Sequence, residues 1–101
     1  MQKTIINEVF ELLHAIRAVD SESEFSREWL GRSECYLRTL RFKGTKPSVA
    51  TIAICASKLQ HYGNQLIRQR QHKDLGERFL TLSQQCYAQI NAQSKAIWLA
   101  E

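Results

Sequence analysis

Five stretches of this 101-residue chain carry apolar residues at spacings of three and four, and none alternates apolar with polar residues over a useful length. Such spacing lines the apolar side chains along one face of an α-helix, whereas a half-buried strand needs a period of two. The chain is therefore read as all-α. Ile5, Val9, Leu12, Leu13 and Ile16 define a first helix from Thr4 to near Ala18, with Ile6 and Phe10 widening its stripe. Ser21-Glu22-Ser23-Glu24 has the form of a capping box, in which the serine hydroxyl accepts from a free N–H and the glutamate reaches back. It opens a second helix that carries Phe25, Trp29 and Leu30 inward and stops at Gly31, since glycine best adopts the left-handed conformation after a helix end.

Ser33 is placed to cap a third helix, with Tyr36, Leu37 and Leu40 on its inner face, and Gly44 ends it. Pro47-Ser48 opens a fourth, whose stripe is Val49, Ile52, Ala53, Ala56 and Leu59. Gly63 leaves two readings beyond that point: continuation toward His72, or a break between His61 and Asn64, because glycine inside a helix costs about 1 kcal/mol relative to alanine. Asp74-Leu75-Gly76-Glu77 repeats the capping-box form. It predicts a last helix of about 25 residues carrying Leu75, Phe79, Leu82, Cys86, Ile90 and Ile97.

Composition narrows the function classes. No apolar run approaches the roughly 20 residues of a membrane span, and the N-terminal residues lack the pattern of a secretory leader, so a cytoplasmic protein is expected. Cys35, Cys55 and Cys86 are odd in number and far apart; they suit neither a disulfide framework nor a zinc site and are read as reduced thiols. His14, His61 and His72 are isolated, and no nucleophile elbow or phosphate-binding glycine loop occurs. No enzyme activity, metal or cofactor is expected. The net charge of +4 is concentrated between Ser26 and Ser48, where Arg27, Arg32, Arg38, Arg41, Lys43 and Lys46 outnumber Glu28 and Glu34. A basic excess confined to one segment is what contact with phosphates requires.

The second and third helices, joined through a glycine-containing turn, make the arrangement that sets a recognition helix in the DNA major groove. On that reading Arg32, Glu34, Cys35, Arg38, Thr39 and Phe42 are the base-reading candidates. Arginine pairs with guanine, glutamate accepts from cytosine, and apolar groups meet the thymine methyl. Ser21, Ser23, Arg27, Ser33, Arg41, Lys43, Thr45 and Lys46 are the phosphate-binding candidates, lying at helix starts and at the edges of the unit.

The segment from Ser21 to Leu59 resembles the Xre-type, lambda-repressor-like helix-turn-helix family. The resemblance rests on Ser21, Leu30-Gly31, Ser33, Tyr36-Leu37, Gly44 and Pro47-Ser48 in the family's order. Glu22 or Glu24 stands where the family usually has a DNA-contacting glutamine, and Arg41 where it often has a glutamate. The run from Phe25 to Gly31 is one residue longer than its common pattern. The resemblance implies a lambda-repressor-like bundle and a DNA-binding transcriptional regulator, commonly of a phage, mobile element or toxin–antitoxin locus, acting as a dimer on an inverted repeat.

The corresponding division is a DNA-binding domain over residues 1–60 and a helical extension over 61–101. The extension carries apolar residues on more than one face, which suits a homodimer interface built from Phe79, Leu82, Cys86, Ile90, Ile97 and Trp98. Completion of the chain's own core is the other use for them. The rival function is a helical protein-binding module, of antitoxin or anti-activator type, that sequesters a protein partner.

Overall fold

The computed structural model describes residues 4–100. Five helices follow one another: α1 (Ile5–Ala15), α2 (Glu22–Trp29), α3 (Tyr36–Lys43), α4 (Val49–Leu66) and α5 (Lys73–Leu99), with a 3-10 turn at Arg70–His72 ahead of α5. No strand occurs among the described residues. The fold is all-α, as the spacing of apolar residues requires.

Local punctuation fixes most of the helix ends. Ser21 Oγ accepts from the Glu24 N–H at 3.2 Å, so the capping box forms, although Glu24 reaches back to the Asp20 N–H (2.9 Å) rather than to Ser21 itself. Ser48 Oγ accepts from the Thr51 N–H at 3.2 Å and opens α4. Gly31 and Gly44 both take positive φ, +64° and +65°. At Gly44 the Thr45 N–H returns to the Leu40 carbonyl (3.1 Å) and the Gly44 N–H to that of Arg41 (3.3 Å), the paired reverse bonds that close a Schellman end.

Three sequence-based expectations about helix ends are corrected. α1 stops at Ala15 rather than near Ala18, where Arg17 takes φ +62° and the Ala18 N–H returns to the Leu13 carbonyl at 2.8 Å. Ser33 does not cap α3: its carbonyl accepts from the Tyr36 N–H at 3.1 Å in a preceding turn, and α3 starts without a side-chain cap. The Arg32 side chain, tied to α4, holds the connection in that turn and delays the helix. Asp74 does not cap α5 either, because the 3-10 turn has already started the helix at Lys73 and leaves Asp74 inside its first turn.

α4 and α5 form an antiparallel hairpin along their length. Gly63 lies against Gly76 at one end, Ser83 Oγ donates to the Ala56 carbonyl (2.8 Å) in the middle, and Gln93 Nε2 donates to the Pro47 carbonyl (3.0 Å) at the other. The ambiguity at Gly63 is thereby resolved in favour of a continuous α4. A Cβ on Gly63 would lie 2.9 Å from Leu80, and one on Gly76 would lie 2.7 Å from the Ile67 backbone nitrogen. The helical cost of these glycines is accepted for a close crossing of two backbones.

Residue 60, where the expected DNA-binding domain ends, falls inside α4, and one core joins all five helices. Val9 and Leu13 from α1, Phe25 and Trp29 from α2, Leu37 from α3, Ile52 and Leu59 from α4, and Phe79 and Leu82 from α5 belong to it. Without α5 the α4 stripe would lie open to water. Residues 61–101 are therefore part of the same packing unit.

Candidate functional site

α3 is the least buried of the five helices. Of its eight residues only Leu37 is buried, with Tyr36 and Leu40 half-buried beside it, so the three residues expected to brace the helix do so. Cys35, Arg38, Thr39 and Phe42 are all exposed, and their spacing sets them on one outward face. Phe42 is 92% exposed, an unusual position for a phenylalanine. The helix carries Arg38, Arg41 and Lys43 and no acidic residue. Exposed Glu34 lies just ahead of it and lines a small recess with Arg38, so it stands at the edge of the face that Cys35, Arg38, Thr39 and Phe42 share.

Arg32, the remaining base-reading candidate, is engaged by other side chains. Its Nε donates to Thr51 Oγ1 (2.9 Å), its Nη2 donates to Ser48 Oγ (3.1 Å), and its guanidinium sits 5.4 Å from the centre of the Tyr36 ring. Tyr36 joins the same cluster, its hydroxyl donating to Thr51 Oγ1 (3.3 Å) and accepting from the Ser48 N–H (3.3 Å). The guanidinium is occupied in fastening the α2–α3 connection to the start of α4. Sequence reasoning missed this clamp. The available signal was Thr51, a polar residue on the buried side of α4, where a hydroxyl needs partners.

The phosphate-binding candidates are dispersed. Arg41 is exposed and paired, its Nη1 lying 2.6 Å from Glu22 Oε1 on the first turn of α2. Ser21 is likewise committed to its cap. Ser23 is half-buried and lines a recess of about 80 Å3 together with Glu22, Glu34, Arg38 and Arg41. Arg27, Ser33, Lys43, Thr45 and Lys46 are exposed. Lys46 lies toward α5, sharing a groove with Gln89, Gln93 and Ile97.

The six candidates for self-association divide cleanly. Phe79, Leu82 and Cys86 are buried in the chain's own core, which corrects their assignment to an interface. Ile90 is half-buried, whereas Ile97 and Trp98 are exposed on the last turns of α5, followed by exposed Leu99. Cys55 and Cys86 are free thiols in the core between α4 and α5, and Cys35 is an exposed one. A hydrogen bond with Cys86, together with burial, pushes the Cys55 thiol upward. Among the described residues no three His, Cys, Asp or Glu side chains gather as a metal site, and no helix is long and apolar enough to cross a membrane.

Neither the curated proteins nor the solved structures contain a match to this chain. A family model does match it, over residues 6–99, and so takes in the α3 face, the Arg32 clamp and the α4/α5 hairpin together. The chain belongs to this family, a family of unknown function designated DUF6626.

Proposed function

We propose that the chain is a sequence-specific DNA-binding regulator in which α2 and α3 act as a helix-turn-helix and the outward face of α3 enters the major groove. The observation that carries this is α3 itself: a two-turn helix, braced by Leu37, free of acidic residues and exposing Arg38, Thr39 and Phe42 side by side. A helix with side chains is about 10–12 Å across and the groove about 12 Å wide, so a helix held this far out of the core fits it. Arg38 is assigned to base reading, Thr39, Cys35 and Phe42 to base-edge contacts, and Arg27, Lys43 and Lys46 to phosphates. Transcriptional control from an inverted repeat, by a dimer joined through the exposed end of α5 around Ile97 and Trp98, belongs to the same proposal.

The test is selection of bound fragments from random DNA, with binding of the recovered site followed against salt. The expected result is an inverted repeat with half-sites about one helical turn apart, bound with a steep loss of affinity as salt rises. Arg38→Ala should lose sequence preference, whereas Lys46→Ala should weaken binding to all sequences alike. Recovery of no motif, with salt-insensitive capture of a protein partner by the same face, would replace this reading with the protein-binding module. The feature favouring that second reading is Phe42, whose nearly complete exposure also suits insertion into an apolar pocket of a partner.

A further inference from the structure

A second concavity lies apart from the α3 face. It is an open cleft of about 490 Å3 where the end of α1, the last turn of α2, the second half of α4 and the start of α5 meet. That size lies within the range of sites for small organic molecules. Its wall is aromatic: Trp29 packs 5.6 Å from Tyr62 and, edge to face, 6.2 Å from Phe79, measured between ring centres. Glu24 and Glu28 stand along the α2 side.

A cation already occupies this corner. Lys58 Nζ sits 4.9 Å from the centre of the Trp29 ring and 5.9 Å from that of Tyr62, and it donates to the Glu28 backbone carbonyl. The negative faces of the two rings and a carbonyl oxygen thus converge on one position, which is the recognition chemistry of an organic ammonium, and Glu24 and Glu28 line the same cleft. With Glu24 and Glu28 against Lys58, the ionic groups of the cleft leave an excess of negative charge, which disfavours an anionic ligand.

We propose that this cleft binds a small aromatic cation, an arylalkylammonium, with its ring against Trp29 and Phe79 and its ammonium in the place that Lys58 now holds. The lysine then swings out to solvent, which its long flexible stem permits. Lys58 acts as an internal stand-in for the ligand's charge. Its removal therefore favours binding, and loss of the Glu28 charge from the cleft wall opposes it.

The experiment uses the full chain carrying Trp98→Phe, which leaves Trp29 as the sole tryptophan reporter, and the unchanged chain is titrated beside it because Trp98 belongs to the proposed dimer contact. Trp29 fluorescence and the amide resonances of Tyr62 and Phe79 are followed during titration with 2-phenylethylammonium and, in parallel, with 3-phenylpropionate. Saturable binding of the ammonium is expected, about tenfold tighter than that of the carboxylate, in keeping with a partly shielded cation–π contact. Glu28→Gln should weaken the ammonium several-fold and Lys58→Met should strengthen it. Absence of saturable binding by the ammonium, equal binding of the two probes, or weaker binding by the Lys58 variant would each overturn the proposal.

Discussion

The α4/α5 hairpin and α3 treat their side chains in opposite ways. In the hairpin, Ile52, Cys55, Ala56 and Leu59 face Phe79, Leu82 and Cys86, and nearly all of these are inaccessible to water. α3 sinks Leu37 alone and turns Cys35, Arg38, Thr39 and Phe42 outward. The hairpin is held by its own packing, while α3 is held at its edges, by the Arg32 clamp at its start, the Arg41–Glu22 pair and the Gly44 closure. A helix fixed in this manner keeps its position with most of its surface available for contact. The scaffold lies in the core and the candidate reading surface outside it, so substitutions in the two should differ in their effects.

Thiol chemistry should show the contrast most strongly. Cys35 is expected to react with iodoacetamide as an ordinary exposed thiol. Cys55 and Cys86, both 0% exposed, should be slower by a factor of at least ~1,000, because their modification requires the hairpin to open. Peptide mass spectrometry over a time course measures this. Comparable rates at all three positions would remove the distinction between the regions.

Stability should separate them next. Leu82 is fully buried, and Leu82→Ala is expected to cost about 2–5 kcal/mol in urea unfolding, through lost transfer energy and the cavity left behind. A loss below about 1 kcal/mol would mean that the hairpin relaxes around the change and is not the rigid member of the pair. The smallest effect is expected at Phe42, where Phe42→Ala should alter stability by no more than about 0.5 kcal/mol, since an exposed ring has little packing to lose. Under the proposed function the same variant should bind its DNA site measurably less well. A large loss of stability would instead place Phe42 in the fold.

Helix identities and most helix ends were available from local signals. Ser21 and Ser48 carry the hydroxyls that cap α2 and α4, and Gly31 and Gly44 adopt the positive φ that ends α2 and α3. These features depend on groups within a few residues of one another, so the sequence alone specifies them. The failures differ in cause. Ser33 and the Asp74 to Glu77 run have the right residue types for caps, yet the distant Arg32 contacts with Ser48 and Thr51 hold the backbone beside Ser33, and the 3-10 turn just ahead of α5 starts that helix before Asp74.

For the candidate site, the sequence determined which residues α3 turns outward, because helical periodicity orders Cys35, Arg38, Thr39 and Phe42 on one side once Leu37 is inside. It also determined the all-helical class and the basic excess around α3. Only the tertiary structure decided which charges are spent. Arg32 and Arg41 look like Arg38 in the sequence, but the hydroxyls of Ser48 and Thr51 occupy the first and Glu22 the second, across separations of 16 to 19 residues. It decided as well that Phe79, Leu82 and Cys86 face α4 and that α4 runs unbroken through Gly63, whose missing side chain has value only because Gly76 and Leu80 lie against it. Local chemistry is written residue by residue, whereas the use of a long side chain depends on which distant partner packing brings within reach.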